Sequence, residues 1–257
     1  HAGHLALVER ARELADRVVV SAYVNPTQFG AGEDYGDYPR TLEADRERLL
    51  EAGADVLFAP ASTEMYPDGL GAVRVAVDRV TEGLCSGTRP HFFTGVATVV
   101  AKLLCAVRPH LAVFGKKDYQ QWVVVRRLAR NLLMDVGIEA VPVVREADGL
   151  ALSSRNAYLS TTEREIAPCL YRALREAVEG QAMDPRAVEA DARRRLEEAG
   201  LSPEYVEVRR QGDLEPVTDL AGPRVLLAAG YLGGTRLIDN VEFGPSESMR
   251  EDEEPCR

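Results

Sequence analysis

A chain of 257 residues, 46% hydrophobic and 28% charged, carries enough apolar surface to close a core, which excludes an intrinsically disordered protein. Its 31 lysines and arginines face 41 aspartates and glutamates, a formal charge of −10, and such a surface repels phosphodiester backbones, so no nucleic-acid partner is expected. The longest apolar run, residues 95–107, is interrupted by Lys102 and falls short of the ~18 residues that a membrane span needs. Four scattered cysteines (Cys85, Cys105, Cys169 and Cys256) form no C-x-x-C pair and read as reduced thiols of a cytoplasmic protein.

In chain order, apolar residues recur at helical spacing over residues 5–15. A β-branched run over 17–24 then predicts a buried strand, broken by Asn25-Pro26-Thr27. A helix follows over 41–52, with Thr41 as N-cap and Gly53 as C-cap, and then a strand over 55–59. Alternation over 72–77 predicts another strand. Residues 95–107 read as a helix, 111–114 as a strand ending in Gly115, 118–133 as a helix and 138–144 as a strand. This alternation predicts an α/β fold, a Rossmann-like parallel sheet with helices on both faces and its ligand at the carboxyl ends of the strands. From about residue 145 the order changes, with helices over 162–179 and 186–199 before strands over 205–209, 224–229 and 235–243. That is the pattern of a smaller α+β unit. We therefore expect a first domain over residues 1–142, a second over 143–244, and a disordered acidic tail over 245–257.

Four polar clusters fall where a strand ends or a helix begins. His1-Ala2-Gly3-His4 opens a helix, where free N–H groups and the dipole attract phosphate. Two histidines at i and i+3 can face one anion, and Gly3 lets it approach the backbone. The bland alternative is the remnant of an affinity tag. Asn25-Pro26-Thr27-Gln28-Phe29-Gly30 follows a strand. Gln28 there offers a donor and an acceptor to a hydroxy acid, or the segment is a plain turn. Gly115-Lys116-Lys117-Asp118-Tyr119-Gln120-Gln121 sets lysine beside a helix N-terminus, either a phosphate-binding arrangement or a charged first turn. Only three of the 31 basic residues are lysine, which makes the adjacent pair conspicuous. Leu152-Ser153-Ser154-Arg155-Asn156 can hold a polyphosphate with two hydroxyls and a guanidinium, or simply cap a helix. There is no G-x-G-x-x-G, no G-x-x-x-x-G-K-[ST] and no acidic pair at metal-site spacing, so metal ligands stay unassigned.

The H-x-G-H start, followed at long range by Ser153-Ser154-Arg155, resembles the nucleotidyltransferase superfamily that includes class I tRNA synthetases. Five further words narrow the resemblance. They are Val24-Asn25-Pro26-Thr27-Gln28-Phe29, Asp37-Tyr38-Pro39-Arg40-Thr41, Met65-Tyr66-Pro67-Asp68-Gly69, the run 114–121, and Arg145-Glu146-Ala147-Asp148-Gly149-Leu150-Ala151-Leu152-Ser153-Ser154-Arg155-Asn156. In this order, from residue 1 to about 244, they are similar to the pantoate–β-alanine ligases, or pantothenate synthetases.

The resemblance implies a two-step ligase. ATP and (R)-pantoate form pantoyl adenylate and pyrophosphate, and the amine of β-alanine then attacks the acyl carbon to give pantothenate and AMP. By the same resemblance His1, His4, Lys117, Ser153, Ser154 and Arg155 form the catalytic set, with His4 stabilising charge at the α-phosphate. His1, Gly3, His4, Gly115, Lys116, Lys117, Asp118, Val144 and residues 152–155 are the expected ATP contacts, residues 152–155 closing on the phosphates. Gln28, Gln121 and Asn25 are the expected pantoate contacts. Mg2+, a cytoplasmic location and a homodimer are implied as well.

The chain also departs from the family pattern. The family carries a strand and a Met-Gly loop before H-x-G-H, so residues upstream of His1 are expected. Lys116 stands where the family has glutamate, and Val143 replaces a threonine. Phe92 takes the histidine position of R-P-x-H-F-x-G-V, with His91 one place earlier. These departures bear on affinity more than on reaction type. A second reading is another nucleotidyltransferase of the superfamily, which would not need the two glutamines. A third is a nucleotide-binding protein without turnover.

Overall fold

The computed structural model describes residues 1–30, 35–36, 41–180 and 184–245. Residues 37–40 of the second family-like word, Cys256 and residues 246–257 of the expected tail lie outside the described residues. Helix α1 (Ala2–Leu14) leads into β1 (Val19–Ser21), which pairs in parallel with β2 (Val56–Phe58). Helix α2 (Leu42–Glu51) makes the crossover, and its Leu49 is buried together with Val8 and Val18. The second parallel pair is β3 (Leu111–Gly115) with β4 (Gly137–Val141), joined through helix α6 (Tyr119–Asn131). The two pairs share no hydrogen-bonded edge among the described residues. The parallel strands that the alternation predicts are therefore present as two pairs. Helix α1 packs against both β3 and β4.

Short helices α3 (Ser62–Met65) and α4 (Cys85–Thr88) lead to α5 (Phe92–Val107), the apolar run of the sequence. A helix apolar nearly all round must be buried nearly all round. Val96, Ala97, Val99 and Val100 accordingly pack in one core with Val123, Val124, Val125 and Leu128 of α6. The charge of α5, Lys102, donates to the Met65 carbonyl at 2.7 Å and lies over the Tyr66 ring. Residues 72–77 are not a strand. Val75 and Val77 pack on this core, and the Val75 N–H goes to Thr98 Oγ1 at 2.9 Å. The alternation there records side chains set against a helix, with no strand ladder beside them.

Beyond β4 come α7 (Thr161–Ile166), α8 (Cys169–Glu179) and α9 (Pro185–Glu198). They precede an antiparallel sheet of β5 (Ser202–Arg210), β6 (Arg224–Leu232) and β7 (Thr235–Phe243). The single helix expected over 162–179 breaks at Ala167-Pro168, because proline brings no N–H to the helical ladder. β6 is what joins the two parts of the molecule. Its Leu226 and Ala228 face a core with Leu170, Leu174 and Leu196, while Val225 and Leu227 face the core of α5 and α6. Successive side chains of a strand point to opposite faces, so a strand buried on both reads as a continuous apolar run. Burying each leucine of this kind contributes ~1.5–3 kcal/mol.

Candidate active site

A cavity of about 720 Å³ lies at the carboxyl ends of β3 and β4, beside the turn that follows β1 and against the start of α1, and β7 contributes to its wall. His1, Gly3 and His4 line it where α1 begins, and a helix start leaves N–H groups without intrahelical partners. The two imidazoles stack, with ring centroids 3.9 Å apart and planes 17° from parallel. Gly3 makes room for this, since a Cβ there would sit 3.0 Å from the His1 ring and 3.4 Å from Leu152 Cβ. Burial holds His4 below its ordinary pKa, so near neutrality the ring is uncharged and keeps one N–H donor. His1 Nδ1 is buried with no hydrogen-bond partner in the protein, an orphan atom of the kind a polar ligand satisfies.

Gln28 lines the cavity at the end of a tight turn (Pro26–Gln28) capped by Asn25. Asn25 itself does not line it, being only 2% exposed. Its Oδ1 accepts from Tyr66 Oη at 2.7 Å and Thr27 Oγ1 at 3.0 Å, and its Nδ2 donates to the Gly95 carbonyl at 3.2 Å and Gln28 Oε1 at 3.4 Å. Asn25 therefore sits behind Gln28 and orients it. The turn can lie this close to α5 only because residue 95 is glycine, where a Cβ would fall 2.4 Å from the Thr27 carbonyl oxygen.

Gly115, Lys117 and Asp118 line the cavity on the turn that opens α6, and Gln121 follows within its first helical turn. Lys117 Nζ lies 3.8 Å from the Asp118 carboxylate. Lys116 does not line the cavity. Its Nζ donates to both carboxylate oxygens of Glu242 on β7, at 2.9 and 2.7 Å, and Tyr119 Oη donates to the same carboxylate at 3.0 Å. The Lys116 charge is thus committed to an internal ion pair. Gln120, adjacent to Gln121, is buried, with Nε2 donating to the Val80 carbonyl (3.1 Å) and Oε1 accepting from the Cys85 N–H (3.2 Å). It is a strut.

Val143, Val144, Leu152, Ser153, Ser154 and Arg155 also line the cavity. They flank a small hairpin closed by the Arg145–Ala151 bridge. Ser153 Oγ accepts the Arg155 N–H at 3.2 Å, and Asn156 Nδ2 donates to the Ala151 carbonyl at 3.0 Å, which shapes the Ser-Ser-Arg turn before any ligand arrives. The structure thus gathers His1, Gly3, His4, Gln28, Gly115, Lys117, Asp118, Gln121, Val144 and residues 152–155 around one space, and leaves Asn25 and Lys116 outside it.

Several cavity residues fall outside the four polar clusters. Arg89 donates to the Gln28 carbonyl at 3.0 Å, and its guanidinium lies 4.0 Å from the Phe92 ring centroid. Phe92 lines the cavity, whereas His91 is exposed at the helix cap and does not line it. Arg236 donates to Glu204 through Nε at 2.7 Å and Nη2 at 3.1 Å. Burial opposes ionisation of Glu204, yet bonds from Arg236 and Thr88 hold its carboxyl below the usual range. Burial pushes the Cys85 thiol up, so it is not a thiolate nucleophile despite lying between Arg89 and Arg236. The period of two along β7 is the signal that finds Arg236 and Asn240, since positions 236, 238, 240 and 242 share a face. Among the described residues no group of three or more His, Cys, Asp or Glu side chains could hold a metal ion.

A family model described as pantoate-beta-alanine ligase matches residues 1–242. The chain is 56% identical over 245 residues to the pantothenate synthetase of Pseudomonas paraeruginosa, covering 94% of this chain and 87% of that one. It is 54% identical over 248 residues to the enzyme of Pseudomonas fluorescens strain Pf-5, covering 95% and 86%. Among solved structures, pantothenate synthetase from Thermus thermophilus superposes with a TM-score of 0.89 at 48% identity, over 94% of this chain and 88% of that one. A pantoate-beta-alanine ligase from Francisella tularensis, complexed with beta-gamma ATP and β-alanine, gives a TM-score of 0.79 at 33% identity, over 96% and 87%. On sequence and fold together, the chain belongs to the pantoate–β-alanine ligase family.

Proposed function

We propose that this chain joins (R)-pantoate to β-alanine at the expense of ATP, through a pantoyl adenylate. The observation that carries the reading is a single cavity combining two kinds of grip. One suits a triphosphate and consists of the α1 start with its histidine pair, Lys117 and the Ser153-Ser154-Arg155 turn. The other suits a hydroxy acid and consists of the amides of Gln28 and Gln121. In the first step a carboxylate oxygen of pantoate attacks the α-phosphorus, the bond from that phosphorus to the β-phosphate bridging oxygen breaks, and pyrophosphate leaves. Charge grows on the phosphoryl oxygens as the centre becomes crowded. A neutral His4 N–H, the ammonium of Lys117 and the guanidinium of Arg155 are fixed donors for that charge.

In the second step the β-alanine nitrogen attacks the acyl carbon, the bond from carbon to the phosphate oxygen breaks, AMP leaves and the amine gives up a proton. The adenylate must be kept from water meanwhile, which suits a turn that closes over the phosphates. We propose that Mg2+ enters with the ATP substrate, where it would neutralise charge on the departing pyrophosphate. We further propose a division into domains at residues 142/143, a homodimeric state and a cytoplasmic location. Stoichiometric release of AMP that needs ATP, pantoate and β-alanine together tests the reading, and a dinucleotide product in place of AMP would overturn it.

A further inference from the structure

Two adjacent residues of β7, Asp239 and Asn240, are polar and almost completely buried, at 4% and 5% exposed. Their side chains leave opposite faces of the strand and reach two different loops of the cavity. Asp239 accepts a two-pronged ion pair from Arg145, with Nη1 to Oδ2 at 2.6 Å and Nη2 to Oδ1 at 2.8 Å. Arg145 also donates to the Gly149 carbonyl at 3.1 Å and lies over the Tyr171 ring, so it carries the whole 145–151 hairpin that precedes Ser153. Asn240 Nδ2 donates to the carbonyls of Lys116 (2.8 Å) and Lys117 (3.3 Å), the turn that presents Lys117. The Asn240 N–H donates to Asp239 Oδ1 at 2.8 Å and ties the two anchors together.

We propose that Asp239-Asn240 is a positioning pair that sets the spacing between the Lys117 turn and the Ser-Ser-Arg turn, and so the enzyme's grip on the triphosphate. The proposal rests on the reading of these turns as the phosphate grip. Both Asp239 oxygens accept from Arg145 and Asn240 Nδ2 donates to the lysine-turn carbonyls, so the proposed role runs through these two turns although both residues also line the cavity. A side-chain donor shared by two backbone carbonyls fixes a turn more tightly than packing alone, and a buried carbonyl that loses its donor costs enough to move the turn.

The test is Asn240→Asp, which keeps the shape of the side chain but replaces the donor with an acceptor facing two carbonyls. Ionised, it repels them; protonated, its O–H can donate to one of them. The charged groups facing this position are the Lys116–Glu242 pair, Lys117 beside Asp118, and the Asp239–Arg145 pair. Equilibrium ATP binding without the other substrates is measured from pH 6 to pH 8 for wild type and variant. We expect about tenfold weaker binding than wild type at pH 8. That ratio shrinks as pH falls and the carboxyl protonates, with pantoate and β-alanine KM values within twofold. Asn240→Ser, too short to reach both carbonyls, should show the same loss with no recovery at low pH, and it stands alone if the aspartate variant does not fold. Unchanged ATP binding in a folded variant overturns the proposal, as does a pH-independent loss spread evenly over all three substrates. If wild type itself binds no ATP, the underlying functional reading has failed, which is a different result.

Discussion

Replacing Gly95 with alanine sets two known effects against each other. Within a helix, glycine to alanine contributes about 1 kcal/mol of propensity, which alone would stabilise α5. The added methyl, however, would lie 2.4 Å from the Thr27 carbonyl oxygen, 2.7 Å from the Thr27 carbonyl carbon and 3.0 Å from the Gln28 nitrogen. These are backbone atoms, which cannot swing aside. Restoring an ordinary 3.4 Å contact needs a displacement of about 1 Å of the turn that carries Gln28. The Asn25 bond to the Gly95 carbonyl, at 3.2 Å, would stretch with it. Overpacking of this kind costs ~1–3 kcal/mol, so the propensity gain is offset or exceeded. Misplacing a substrate-holding group by about 1 Å can cost ~10²-fold in rate. We expect kcat/KM for pantoate to fall ~10–100-fold in Gly95→Ala, with ATP affinity within threefold because His4, Lys117 and Arg155 lie on other elements. Steady-state kinetics with pantoate varied, alongside a melting curve, read both effects. A variant with a raised Tm and wild-type pantoate kinetics would show that the turn is not packed on Gly95 as described.

Four further outcomes follow from the site. His4→Gln should slow adenylate formation by ~10²–10³-fold with little change in ATP affinity, the mark of a donor used mainly in the transition state; near-normal turnover would remove His4 from the chemistry. Because burial depresses the His4 pKa below 6.5, its contribution to stability is complete above pH 6.5 and is lost as pH falls through the folded-state value. Wild type should therefore lose more Tm between pH 7 and pH 5 than His4→Gln does, and equal losses would contradict the burial of a neutral ring. Arg155→Ala should weaken ATP binding and slow the first step, whereas a rise in the β-alanine KM alone would place the turn on the wrong substrate. Gln28→Ala and Gln121→Ala should each raise the pantoate KM about ten- to a hundredfold, from ~1–3 kcal/mol per lost bond to a buried ligand. Selective loss of ATP affinity would reassign them.

What the sequence makes legible here is local, and what it hides is nonlocal. Helix starts and strand ends sit within a few residues of their expected places, because capping, β-branching and period are short-range signals. The H-x-G-H start, the glutamine after β1, the lysine turn and the Ser-Ser-Arg turn come together because a helix start and the loops that follow the parallel strands gather around one cavity. Residues 72–77 mislead because side chains packed one by one on α5 imitate strand alternation. Lys116 misleads because nothing near it in sequence announces Glu242, 126 residues away. Arg89, Arg236, Asp239 and Asn240 pair with Gln28, Glu204, Arg145 and the lysine turn; the period of two along β7 puts side chains on one face but does not name these distant partners.

The order of chemistry is the central point of the mechanism, and one exchange measurement reads it. Pantoate, ATP and labelled pyrophosphate are supplied without β-alanine, and label is followed into ATP. If pantoate attacks phosphorus first, pyrophosphate is released and recaptured before any amine arrives, so label enters ATP at a rate that depends on pantoate. Exchange absent until β-alanine is added, from protein that turns over normally with all three substrates, would contradict a separately formed pantoyl adenylate.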